Sequence, residues 1–203
     1  MEAEQRRRIL SAHRDSLRRY GYSPWALYWS NREVQERRFQ VLFEVGIQPG
    51  QSLLDVGCGF GDLAIWLERQ GCPVDYTGID LSPDLLAEGR RRHPGLRLVE
   101  GDLFDLDPAP RAFDWVVLSG TLNRDLGDAG AYARRLIPRM WDACRLGIAF
   151  NLLDARHEPT ASRWDLQSFH PEEILTLVRR FASRVELRDG YLDNDFTIHA
   201  WRD

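Results

Sequence analysis

The segment Leu53-Leu54-Asp55-Val56-Gly57-Cys58-Gly59-Phe60-Gly61-Asp62 constrains this chain more than any other. An apolar run enters three glycines at alternate positions, and Leu63, Trp66 and Leu67 then recur at helical spacing. Glycine adopts backbone angles closed to other residues and lets a ligand approach the main chain. Apolar run, tight turn and helix form the opening of an α/β unit, and ligands of such sheets sit at the carboxyl ends of the strands. A dinucleotide fingerprint wants a small residue at position 62. Asp62 would repel a pyrophosphate at a helix N-terminus, so the loop suits a ligand without phosphates.

The rest of the chain repeats the unit. Strands are predicted over 52–56, 76–81, 96–100, 113–118 and 146–153, with helices over 61–70, 82–93 and 128–144 between them. Pro171 opens a further helix, and strands over 183–191 and 195–202, joined at Asp193-Asn194, predict an antiparallel hairpin. Upstream, residues 4–20 read as an amphipathic helix with an Arg-rich outer face. Gly21-Tyr22-Ser23-Pro24 breaks it, Trp25, Tyr28 and Trp29 follow, and a second helix over 31–45 is capped by Ser30 or Asn31. Residues 155–170 carry no regular pattern. Alternating strands and helices imply a mostly parallel sheet covered on both faces.

Two acids follow later strands. Asp80 lies about 20 residues beyond the glycine loop, the distance expected of a carboxylate that accepts hydrogen bonds from ribose hydroxyls. Its alternative role, a helix N-cap, suits Ser82 better. Asp102 can reach an adenine amino group with Leu103 packed on the ring; alternatively it is a turn aspartate. Asp55, Asp80 and Asp102 together end three consecutive strands, and that joint placement outweighs any one of them.

Composition removes several classes of chemistry. All 27 basic residues are arginine, which excludes a Schiff-base lysine, a P-loop lysine and a lysine general base. Three cysteines and five histidines show no metal-ligand spacing, so no metal is expected. A net charge of −4 does not favour a nucleic-acid partner. No apolar run approaches the roughly 20 residues that span a bilayer, and the charged N-terminus lacks the apolar core of a signal peptide. A cytoplasmic protein with no membrane partner is the expectation.

With these residues in view, positions 50–120 resemble the cofactor half of the class I S-adenosylmethionine-dependent methyltransferases. Asp55, Gly57, Gly59 and Gly61 match the first motif, D-x-G-x-G-x-G. Asp80 matches the ribose acid and Asp102 the adenine-contacting acid. Phe113-Asp114-Trp115-Val116-Val117-Leu118-Ser119 matches the fourth strand and the turn beneath the methionine moiety. A looser resemblance of Gln35-x-x-Arg38-Phe39, Ser119-Gly120-Thr121-Leu122-Asn123 and Asp195-Phe196-Thr197 is to small bacterial members of the family. The resemblance implies a Rossmann-like, seven-stranded, mostly parallel sheet with a C-terminal antiparallel hairpin. Residues 1–203 would form one domain, with 1–46 a helical lid and 47–203 the core.

S-adenosylmethionine is the implied cofactor. Its expected contacts are Asp55, Gly57, Cys58, Gly59, Asp80, Leu81, Asp102, Leu103, Ser119 and Arg38. Arg38 lies on an inward helical stripe and needs an anion: either the methionine carboxylate or an internal Asp or Glu. The Asn/Asp-Pro-Pro-Tyr segment of amino-methylating nucleic-acid enzymes is absent, as are a Pro-Cys nucleophile and room for an RNA-binding module. A small-molecule acceptor is therefore expected. The alternatives are a tRNA or protein acceptor, a non-catalytic S-adenosylmethionine-binding protein and a nucleotide-dependent oxidoreductase. The acceptor should lie between the N-terminal helices and 155–170, where His157, Arg163, Trp164 and His170 fall; Trp25, Tyr28 and Trp29 either line its pocket or pack the N-terminal helices. No catalytic residue is identified. His157 is either a general base or a solvated loop residue, and Tyr191 and Asp193 are weaker candidates.

Overall fold

The computed structural model describes residues 1–202. Three segments precede the sheet: α1 (Ala3–Tyr20), a turn of 3-10 helix (Pro24–Leu27) and α2 (Arg32–Phe43), the last capped by Asn31, whose Oδ1 accepts from the Val34 N–H at 2.8 Å. Then follow β1 (Ser52–Val56), α3 (Asp62–Arg69), β2 (Asp75–Asp80), α4 (Pro83–Arg92), β3 (Arg97–Glu100), α5 (Leu103–Leu106), β4 (Phe113–Leu118), α6 (Ala131–Ala143) and β5 (Cys144–Asp154). The chain continues through α7 (Glu158–Ala161), β6 (Ser168–Phe169), α8 (Pro171–Val178), β7 (Arg184–Arg188) and β8 (Asp195–Trp201).

Seven strands run in the order β3-β2-β1-β4-β5-β8-β7. β1 to β5 pair in parallel, and β8 lies antiparallel between β5 and β7. The mostly parallel sheet with a terminal hairpin is as the sequence predicts. The strands are continuous apolar runs because helices cover both faces. Along β4, Val116 and Leu118 face α6 and α8, while Trp115 and Val117 join the side chains of α2 and α3, the period-two alternation of a pleated strand.

An eighth strand departs from the expectation. The two-residue β6 pairs parallel with the end of β5, Leu153 opposite Ser168 and Asp154 opposite Phe169. β8 already occupies the other edge of β5, so β6 prolongs the line of β4 past its last residue. The segment 155–170 is thus a helical turn followed by a strand, and it stands over the carboxyl end of β4. Elements this short leave too few residues for any periodicity to show in the sequence.

Candidate functional site

The sheet register aligns the ends of β1, β2 and β4: Val56 lies opposite Ile79 on one side and Leu118 on the other. Beyond them the main chain turns sharply. The N–H groups of Gly57 and Cys58 both donate to the Ile79 carbonyl, at 2.8 and 2.9 Å, and Gly57 and Gly59 take φ of +76° and +57°. A Cβ on Gly57 would lie 1.9 Å from Thr121 Oγ1, and one on Gly59 would lie 2.9 Å from Leu27. Glycine is required there for packing as well as for φ.

Over these turns opens a cleft of about 1240 Å3. Asp55, Gly57, Cys58, Gly59, Asp80, Leu81, Asp102 and Ser119 line it, as does Arg38. Asp80 is held by the N–H groups of Gly59, at 2.9 Å, and Ser82, at 2.8 Å, with its free lone pairs toward the cleft. Asp102 accepts from the Phe104 and Asp105 N–H groups and from Arg6 Nη2 at 2.7 Å, so it caps α5 and also fastens α1. Asp102 has the turn role weighed for it, and it also lines the cleft. Asp55 is buried, and burial pushes its carboxyl up to about 7, against the Tyr76 hydroxyl that donates to it at 2.7 Å. The negative charges of Asp80 and Asp62 raise it further. A cation placed above Asp55 would reverse that shift.

Two sequence expectations are corrected. Leu103 offers no face to a ring, because its side chain is completely buried with Leu118 and Tyr132 in the core below. Trp164 does not line the cleft; it is 89% exposed. Arg38 has an internal anion: its Nη2 donates to Asp195 Oδ1 at 2.7 Å, its Nε donates to Oδ2, and Trp29 stacks at 4.4 Å on its guanidinium. The internal carboxylate is one of the two partners considered for Arg38, which also lines the cleft. Asp62 turns away from the cleft toward the Tyr22 hydroxyl, at 2.6 Å, and Gln35 Nε2, at 3.2 Å. A charge at the first turn of α3 is thereby spent on holding the N-terminal segment.

Of the acceptor-side candidates, His157, Arg163 and Asp193 line the cleft, as do Trp25, Tyr28 and Trp29. His157 Nδ1 shares a hydrogen bond of 2.8 Å with Thr160 Oγ1. His170 occupies the N-cap position of α8, with no side-chain capping bond, away from the cleft. Tyr191 bonds Thr197 Oγ1 at 2.8 Å instead of facing the cleft.

Other residues emerge only in three dimensions. Asn151, wholly buried on β5, accepts from the Gly120 N–H at 2.8 Å and donates to Ser119 Oγ at 3.2 Å, which fixes the turn after β4. Gly120 takes φ +70°, and the Trp29 ring occupies the place a Cβ would need. Asn123 Oδ1 and His13 Nδ1 are buried without hydrogen-bond partners, and both residues line the cleft. Burial holds the His13 imidazole below its ordinary pKa, against the pull of Asp80. Unpaired buried polar atoms are costly and mark places that a ligand satisfies.

These residues fit an adenosyl ligand. A cradle without Cβ atoms and carboxylates placed for ribose and for an amino group are what it requires. Among the described residues no cluster of His, Cys, Asp and Glu could hold a metal ion.

Comparison with known proteins agrees. A family model described as a methyltransferase domain matches residues 53–140. A methyltransferase of Mycobacterium tuberculosis is 31% identical over 152 residues, covering 72% of this chain and 90% of its own. The demethylmenaquinone methyltransferase of Beutenbergia cavernae is 32% identical over 82% of this chain, which spans only 65% of that longer protein. In fold, the magnesium protoporphyrin IX methyltransferase of Synechocystis, solved with bound SAH, superposes with a TM-score of 0.69 over 98% of both chains at 16% identity.

Proposed function

The chain belongs to the class I S-adenosylmethionine-dependent methyltransferases, and from that premise we propose that it methylates a small molecule with an apolar body. The observation that carries this reading is the extent of the cleft. At about 1240 Å3 it exceeds the roughly 300–1,000 Å3 of a one-ligand site. It continues past the cofactor cradle to Ile9, Trp25, Tyr28 and Leu166.

S-adenosylmethionine, when bound, supplies a methyl group made electrophilic by its sulfonium. In this reading Asp80 receives the ribose hydroxyls, Asp102 the adenine amino group and Asp55 the amino group of the methionine part. The Gly57–Thr121 contact and the Asn151 ties hold the two turns that flank the methyl position. The protein's further work is to orient a nucleophile and exclude water. His13 and Asn123 can hold a polar group of the acceptor, and a neutral His13 can take a proton from it. The relative from Beutenbergia is named for a quinone-type acceptor, in keeping with an apolar body bearing few polar groups.

The test supplies purified protein and methyl-labelled S-adenosylmethionine to fractionated bacterial extract. Label should appear in the organic-soluble fraction and fall when Asn123→Ala replaces the wild type. Label confined to RNA or protein would replace this reading. Tight SAH binding with no transfer to any fraction would make the chain a binder only.

A further inference from the structure

Four large apolar side chains stand out on the surface: Tyr20 at 43% exposure, Trp25 at 57%, Tyr28 at 55% and Trp164 at 89%. They are not scattered. Tyr20, Trp25 and Tyr28 line the cleft at its α1 side. Trp164 stands between Arg163 and Asp165, which line it from the 155–170 segment. The two sides meet through Arg124, whose guanidinium lies 5.8 Å from the Tyr28 ring centre and whose backbone bridges to Leu166.

Charge is equally local. The chain carries −4 overall, yet α1 has six arginines against two acids. Among the described residues, Arg18 has no ion-pair or hydrogen-bond partner, and Arg19 lies only on the Tyr20 ring, 5.1 Å from its centre. A free cation, Arg19, therefore sits against one of the exposed rings, with Arg18 on the outer face of the same helix end.

We propose that this rim docks on the surface of an anionic lipid bilayer, so that an amphiphilic acceptor passes from the membrane into the cleft; the second part rests on the function proposed above. Tryptophan and tyrosine rings favour the headgroup level of a bilayer, where one edge is apolar and the other wet. A basic amphipathic helix beside them adds attraction to anionic lipid. The exposed rings and the free cations of α1 lie on the α1 side of the mouth, which is the side that would approach such a surface. The lack of a spanning run, from which no membrane partner was expected, bears on crossing a bilayer and not on lying against it. No helix among the described residues is long and apolar enough to cross a membrane.

The experiment sediments the whole chain with vesicles of phosphatidylglycerol and phosphatidylcholine, and with phosphatidylcholine alone. Binding should require the anionic lipid and weaken with salt. Trp164→Ser, and Arg18→Glu combined with Arg19→Glu, should each weaken it about tenfold. SAH affinity by calorimetry, run on the same preparations, should not change, because none of the three side chains touches the cradle. Wild-type protein that binds SAH but neither vesicle would overturn the docking surface and leave the methyltransferase reading intact. So would variants that sediment like the wild type, or a solution dimer that the Trp164 variant dissociates.

Discussion

Two helices precede the sheet, and they are attached in different ways. α2 spans 12 residues and buries Gln35, Arg38, Phe39, Val41 and Leu42. The Arg38–Asp195 pair roots it, and β8 reaches back to it through His199 Nε2 on the Val41 carbonyl, at 2.8 Å, and to the turn after it through Trp201 Nε1 on the Val45 carbonyl, at 2.8 Å. α1 is longer, at 18 residues, yet the side chains it buries are Gln5 and Ser16, both polar. Its fastenings are Arg6 on Asp102 and Asp105, Arg14 on Asp84, and Gln5 Nε2 on the Leu126 carbonyl. α2 is a wall of the core. α1 is held mainly by polar contacts, most of them within reach of water, with Leu17 packed against Ala26, Phe60 and Leu85. Contacts of the second kind are individually weak and open at low cost.

The contrast breaks first at α2. Arg38→Ala leaves the Asp195 carboxylate buried and unpaired, and should lower unfolding free energy by about 3–5 kcal/mol in urea denaturation. A loss below about 1 kcal/mol would put α2 in the same class as α1.

Asp55 lies beneath the cleft and gives a pH test. Its carboxyl is raised to about 7, so the folded chain holds a proton that the unfolded chain has released above its ordinary pKa near 4. Its contribution is fully present below about pH 4 and fades as pH rises through about 7, by ~2–4 kcal/mol. Asp55→Asn should flatten that decline and raise the melting temperature at pH 8. If Asp55 receives a cationic amino group, S-adenosylmethionine affinity in the wild type should increase from pH 6 to pH 8, as measured by calorimetry, and the variant should lose that increase.

Removing residues 1–21 tests directly whether α1 acts as a lid. The remainder should unfold cooperatively with little loss of stability, while SAH dissociates about tenfold faster in stopped flow, a difference of about 1.4 kcal/mol. A shortened chain that fails to fold would make α1 part of the core.

The smallest effect belongs to a single latch. Arg6, 30% exposed, pairs with Asp102 and Asp105, and Arg6→Ala should cost less than about 1 kcal/mol in thermal unfolding. The same variant should speed SAH release by a few fold. An effect as large as that of Arg38→Ala would erase the distinction between the two helices.

What could be read in the sequence was local. The turn at Gly57–Gly61 and the acids at 80 and 102 announce themselves within a few residues of each strand, because turn chemistry and strand ends are short-range. What could not be read is carried by partners far apart in the chain. Arg38 and Asp195 are 157 positions apart, and Arg6 and Asp102 are 96 apart. The hydrophobic stripe of α2 shows that Arg38 needs an anion without showing which one. Asn151 reads as one polar residue in an apolar strand until the turn after β4 lies beside it. Leu103 illustrates the opposite error: it follows an acid that lines the cleft, but the turn of α5 carries its side chain into the core.

The Gly57–Thr121 contact has a consequence for how such a protein can change. The two turns interlock like cog and notch, so an alteration in either one demands a matched alteration in the other. A change of acceptor is more readily written where nothing interlocks. The tip at 161–164 is exposed throughout, and β6 anchors the segment behind it to the end of β5. That tip is an exchangeable edge on a permanent frame, and lengthening or recolouring it leaves the cofactor cradle mechanically untouched.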